Sequence, residues 1–246
     1  MAMATAVRDA IEAAVVLQAD MGMADEYESV ESAQVQVCEL SRHFFEKGWC
    51  VGTAGAMSVR AVAAAGASPA KQLVVVTPSG VPKEQLVPSD LHLVQLDGTA
   101  VHTPPQRAKI SDCAALFLEC HRTRFCAAVI HTHSQNAVLV SLLHGDSFRI
   151  SHMEQLKALP GNGGGGGANL QFQDELVVPI IDNTPTEHEL LPALQRVLSE
   201  NPTACAVIVR RHGLFVWGPT TQKCKVYHES LDYLFELSLR MHMLGV

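Results

Sequence analysis

Two histidines one residue apart, His131 and His133 in the segment FCAAVIHTHSQNAV, close an apolar run that reads as a buried strand. A strand has a period of two, so both imidazoles fall on one face of the chain. Neutral imidazoles converging in this way suit a divalent transition ion such as zinc. The same pair also occurs as locally bonded edge or turn histidines. A second apolar run, residues 204–209, leads into Arg210-Arg211-His212-Gly213 and sets a third imidazole at a strand end. Catalytic zinc usually keeps three protein ligands and one open position, which His212 would complete. Spacing alone does not bring residue 212 to residue 133, so a turn histidine stands beside the ligand as an alternative.

Two loops carry hydroxyls and glycines, GTAGAMS at 52–58 and TPSGVPK at 77–83. Such loops expose backbone N–H groups and hydroxyls that wrap a phosphate. They make Thr53, Ser58, Ser79 and Gly80 candidate phosphate contacts, with Lys83 adding positive charge; ordinary turns are the other reading. Neither loop matches a Walker A or dinucleotide fingerprint, so nucleotide chemistry is excluded as the leading reading. Lys157 follows Glu154 by three residues, which on a helix puts the two on one face as a substrate contact or a solvated ion pair.

The elements that must position these groups alternate along the chain. Strands are expected at 57–59, 73–76, 91–96, 127–130, 176–181, 204–209 and 214–217, and helices at 31–47, 113–122, 135–143, 187–200 and 221–243. The short gap from Arg211 to Gly213 implies a hairpin, so the α/β sheet is expected to be mixed rather than all parallel. Residues 1–30 read as an N-terminal extension, and the glycine tract at 161–167 as a linker or loop. The 246 residues are 48% hydrophobic and 17% charged, which excludes disorder over most of the chain. A net charge of −7 argues against a nucleic-acid partner. No apolar run is long enough to span a bilayer. Seven scattered cysteines with no CxxC read as reduced thiols of a cytoplasmic protein.

Taken together, GTAGAMSV, VTPSG, IHTHSQNAV and RRHGLFVWG resemble the class II aldolase/adducin family, from about residue 31 to the C-terminus. That resemblance implies a three-layer α/β/α sandwich with a central, mostly antiparallel sheet. It also implies one zinc per subunit on His131, His133 and His212, and a homotetramer with sites near subunit interfaces. Within the family, LVVPIIDNTPTEHEL, ISHMEQLKAL and SDCAALFLECHRTR look like the dehydratase branch that acts on methylthioribulose 1-phosphate in methionine salvage. This branch implies a lyase with Glu154 as general acid/base and Cys113 as a substrate contact. Asp112 keeps a pentulose-phosphate epimerase open beside it, with a sugar-phosphate aldolase and a non-catalytic binding protein as further alternatives.

Overall fold

The structure is a computed structural model that describes residues 28–62, 72–107, 109–161 and 168–246. Most of the expected N-terminal extension, and residues 162–167 of the glycine tract, lie outside the described residues.

Strand β1 (Glu28–Ser29) runs into helix α1 (Val30–Glu46), whose first turn is capped by the Ser29 hydroxyl accepting from the Ser32 amide. Next come β2 (Ala56–Val62), β3 (Gln72–Val76), β4 (His92–Gln95) and β5 (Ala100–His102). Helix α2 (Ala114–Arg124), strand β6 (Ala128–Thr132), helix α3 (Gln135–Leu143) and strand β7 (Ser147–Ser151) follow. The chain ends with β8 (Glu175–Ile181), α4 (Leu191–Glu200), β9 (Ala206–Val209), β10 (Gly213–Gly218) and α5 (Thr221–Leu244). The expected helix at 187–200 splits into a 3-10 turn, Glu187–Leu190, and α4. Pro192 sits in the first turn of α4, where its missing N–H costs nothing. Strands β5 and β7 were not expected; both are short and lie at the two edges of the sheet.

The sheet runs β5-β4-β3-β2-β6-β10-β9-β8-β7 with β1 beside β2. Only the β1–β2 and β8–β9 pairs are parallel, which agrees with the expected mostly antiparallel sheet. Alternation along the strands divides the core. Met57, Val59, Ile130, Ile208 and Val216 pack on one face with Phe44 of α1 and Leu231 and Phe235 of α5. Val129, Val207, Phe215 and Trp217 pack on the other with Phe117 of α2 and Leu194 of α4. Each face is covered by helices, giving the three layers.

Two histidines are buried within these layers as neutral rings. His121 of α2 is fully buried between the Cys126 carbonyl at its Nδ1 (2.9 Å) and the Ser58 hydroxyl at its Nε2 (2.9 Å). His228 of α5 stacks on Trp49 and meets the Thr132 hydroxyl at 2.7 Å. Burial lowers both to about 3. Between that value and the unfolded value near 6.5 the unfolded chain binds more protons, so stability is lost as pH falls through this window. Urea unfolding of metal-free protein is expected to give a stability about 4 kcal/mol lower at pH 5 than at pH 7 from these two rings, about 2 kcal/mol each. A flat profile over that range would contradict the neutral buried state.

Candidate metal centre

Strand directions gather one end of the sheet into a site. β6 finishes there at Thr132, β10 begins there at Gly213, and β9 and β8 end there at Val209 and Ile181. The 52–55 loop enters β2 at the same end, where Ala56 pairs with His131, and the 77–83 loop leaves β3 there. His131 is 1% exposed with its ring stacked on Phe215 at 4.1 Å. Its Nδ1 lies 3.1 Å from the Leu214 carbonyl and His212 Nδ1 lies 3.0 Å from Asn183 Oδ1. Because a carbonyl oxygen only accepts, these Nδ1 atoms carry the protons and Nε2 of each neutral ring is a bare lone pair. The His131 and His133 Nε2 atoms are 3.1 Å apart, as are those of His133 and His212. His133 Nε2 thus lies beside two bare lone pairs, and tetrahedral zinc at about 2.0–2.1 Å from each nitrogen needs this kind of separation. The donor set therefore fits a divalent metal. Burial holds all three rings below their ordinary value, His133 at about 4, so they are neutral ligands at neutral pH.

Backbone details keep the rings in place. The His133 amide donates to the Trp49 carbonyl at 2.9 Å, and the Ser134 hydroxyl donates to the buried Asp232 of α5. A Cβ at Gly213 would sit 2.1 Å from the Thr132 carbonyl oxygen, so only glycine lets β10 close on β6 beside the ligands. In the 52–58 loop the positive φ angles fall on Gly52 and Gly55, which leaves Ala54 and Ala56 in ordinary backbone.

Cys113, 2% exposed at the start of α2, donates its thiol to Glu187 Oε2, and Glu187 Oε1 is 3.9 Å from His212 Nε2. Cys113, His131 and Glu187 form a second cluster whose ligand atoms all lie within 4.8 Å, sharing His131 with the first. Burial and the Glu187 charge hold the Cys113 thiol well above its usual range, so it is a protonated donor and not a nucleophile. Glu187 is the site residue missed by the sequence reading. It lies within TPTEHEL, which reads as a helix start, four residues after the Asn183 that the structure places on His212. Glu187→Gln is expected to cost about 10- to 100-fold in metal affinity or kcat/KM, measured by chelator competition and steady-state kinetics.

The other expected site residues separate into three groups. Lys83 is 1% exposed and donates to the carbonyls of Thr53 (2.9 Å) and Val81 (3.0 Å), tying the two loops together within electrostatic reach of His133, Cys113 and Glu187. Thr53 and Gly80 are exposed at this end, and Ser79 donates to Asp112 at 3.3 Å. Asp112 is exposed and paired with Lys109, not turned to the histidines. Ser58 does not fit a phosphate contact: it is fully buried in β2 and its hydroxyl is engaged by His121.

Glu154 and Lys157 form the last group. β7 runs antiparallel to β8, with Ser147 opposite Pro179 and Ser151 opposite Glu175, so it starts near the metal end and leaves it. The 3-10 turn Glu154–Ala158 follows at the opposite end of the sheet, where the exposed Glu154 pairs with Lys157 at 2.8 Å. As a base for the histidines of its own chain Glu154 is thus misplaced, by the direction of an edge strand that the sequence reading did not see.

The described helices include none long and apolar enough to cross a membrane. The methylthioribulose-1-phosphate dehydratase of Saccharomyces cerevisiae is 42% identical over 214 residues, covering 85% of each chain. That of Debaryomyces hansenii is 44% identical over 229 residues, again with 85% of each chain covered. Among solved structures, an L-fuculose 1-phosphate aldolase superposes with a TM-score of 0.68 at 18% identity, covering 90% of this chain and 91% of that one. The L-fuculose-1-phosphate aldolase of Thermus thermophilus gives 0.63 at 22% identity, covering 87% and 95%. Residues 35–239 match the family described as Class II Aldolase and Adducin N-terminal domain, and with the three-layer fold and the three converged histidines in place, the chain belongs to that family.

Proposed function

We propose that the chain is a zinc-dependent hydro-lyase that converts 5-methylthioribulose 1-phosphate to 2,3-diketo-5-methylthiopentyl 1-phosphate and water, in methionine salvage. The observation that carries this reading is the convergence of three imidazole Nε2 atoms in a chain 42% identical to a dehydratase of that name. His131, His133 and His212 would hold the ion, which supplies Lewis-acid polarisation of a carbonyl. The chain's own residues shape the rest. Cys113 offers its sulfur as a weak acceptor to a substrate hydroxyl, while its single S–H is held by Glu187. Thr53 and Gly80 present a hydroxyl and backbone N–H groups to the phosphate, Ser79 joins them by turning its hydroxyl from Asp112, and the Lys83 ammonium stands behind them. The general acid/base removes the proton on C3 and returns it to the C4 hydroxyl, which leaves as water; the enol then becomes the diketone.

Glu154 is assigned this proton transfer, with Lys157 beside it. Given the course of β7, the carboxylate acts on the site of another copy, in the homotetramer the family resemblance implies. A reduced cytoplasmic setting suits seven free, buried cysteines. Incubation of the zinc-loaded protein with methylthioribulose 1-phosphate, ribulose 5-phosphate and fuculose 1-phosphate tests the reading. Diketone absorbance from the first substrate alone is expected. Clean epimerisation or triose formation without diketone would replace the dehydratase by the epimerase or aldolase, and well under one metal per chain after reconstitution would leave a binding protein.

A further inference from the structure

At the end of the sheet opposite the histidines, a cavity of about 280 Å³ opens between the start of β9, the end of β10 and the first turns of α5. Its charged lining residues among those described are Arg124 and Lys223, with no carboxylate among them, in a chain with 25 acidic and 18 basic residues. Cys126 and Cys205 in its wall precede β6 and β9, so the cavity is about 16 Å from the metal ligands, the length of a five-residue strand.

Four features equip it for a ligand. Tyr227 lines it at 5% exposure, and its hydroxyl makes no hydrogen bond to any described residue. The ring is buried while the hydroxyl itself is not among the buried unpaired atoms, so it opens onto the cavity, where it can donate to a ligand. Lys223 lies in the first turn of the 24-residue helix α5 with no carboxylate partner among the described residues, where the helix end adds its own partial positive charge. Trp217 spends its indole N–H on the Ala204 carbonyl and offers ring surface. Arg124 lies 5.9 Å over that ring with its Nη2 fixed by the Leu198 and Asn201 carbonyls, and its Nε is buried without a partner.

We propose that this cavity binds a small organic anion, with its carboxylate or phosphate oxygens on Lys223 and Tyr227 and an apolar or aromatic body against Trp217. Nothing in the metal-site chemistry uses these residues. The cavity admits a ligand of about ten heavy atoms, for which apolar contact and one charged end give both affinity and orientation.

The test is isothermal titration of the full chain with phenylacetate, in metal-loaded and metal-free form, beside the neutral phenylacetamide. The expected result is one site per chain with a Kd below about 1 mM, unchanged by removing the metal. Binding weakens at least about tenfold for the amide and for Lys223→Ala, and at least about threefold for Tyr227→Phe. Lys223 is exposed, so that variant tests the charge without disturbing packing. Absence of binding, binding that requires the metal, equal binding of the amide, or unchanged binding in both variants would each overturn the proposal. These outcomes are independent of whether the dehydratase reading holds.

Discussion

His212→Ala is expected to leave less than about a tenth of the metal of the unaltered protein after purification and reconstitution, with kcat/KM reduced by at least about 10⁴. The magnitude follows from the ligand count. Three Nε2 atoms converge at 3.1 Å and no fourth imidazole joins them among the described residues, so removing one leaves two ligands on an ion that needs three. His212 sits in a turn rather than in the sheet, so little packing is lost with it. His131→Ala is expected to lose metal equally but also to lower stability by about 2–4 kcal/mol, because its ring fills space against Phe215 in the core. Elemental analysis beside urea unfolding separates the effects. Full metal content in His212→Ala would remove the three-histidine centre, and a stable, metal-free His212→Ala with full activity would remove the metal from the reaction.

The histidine pair was legible in the sequence because both requirements are local: an apolar run ending in HTH, and a period of two. His212 was legible as a residue but not as a neighbour. What joins it to the others is the long-range register of β10 on β6, Leu214 opposite Thr132, which no local pattern encodes. The helices expected at 135–143 and 221–243 stand close to the observed Gln135–Leu143 and Thr221–Leu244. β7 was not legible, since SFRIS is five residues at a sheet edge with only two buried side chains. That omission hid the geometry of Glu154, whose motif was readable while its direction was not. Glu187 escaped for a related reason: its importance comes from contact with Cys113, 74 positions earlier in the chain.

Glu154→Gln is expected to keep its metal and lose at least about a hundredfold in kcat, as a missing general acid/base would. An equal loss would follow from a same-chain or a cross-chain base, so the decisive measurement mixes two inactive proteins. Glu154→Gln retains intact histidines, and His131→Ala retains an intact Glu154. If each site takes its histidines from one copy and its carboxylate from another, an equal mixture allowed to exchange subunits contains sites with both wild-type parts. Random assortment puts that fraction at about one quarter of all sites, and activity is expected to return to about that fraction of the unaltered enzyme. If Glu154 instead served its own chain, every site would carry one defect and mixing would restore nothing. Strand direction sets the expectation: Glu154 follows the end of β7 that lies away from the metal, and His131 stands at the other end of the same sheet. A rigid five-residue strand cannot return the carboxylate across that distance, so a restored activity would identify the site as shared between copies.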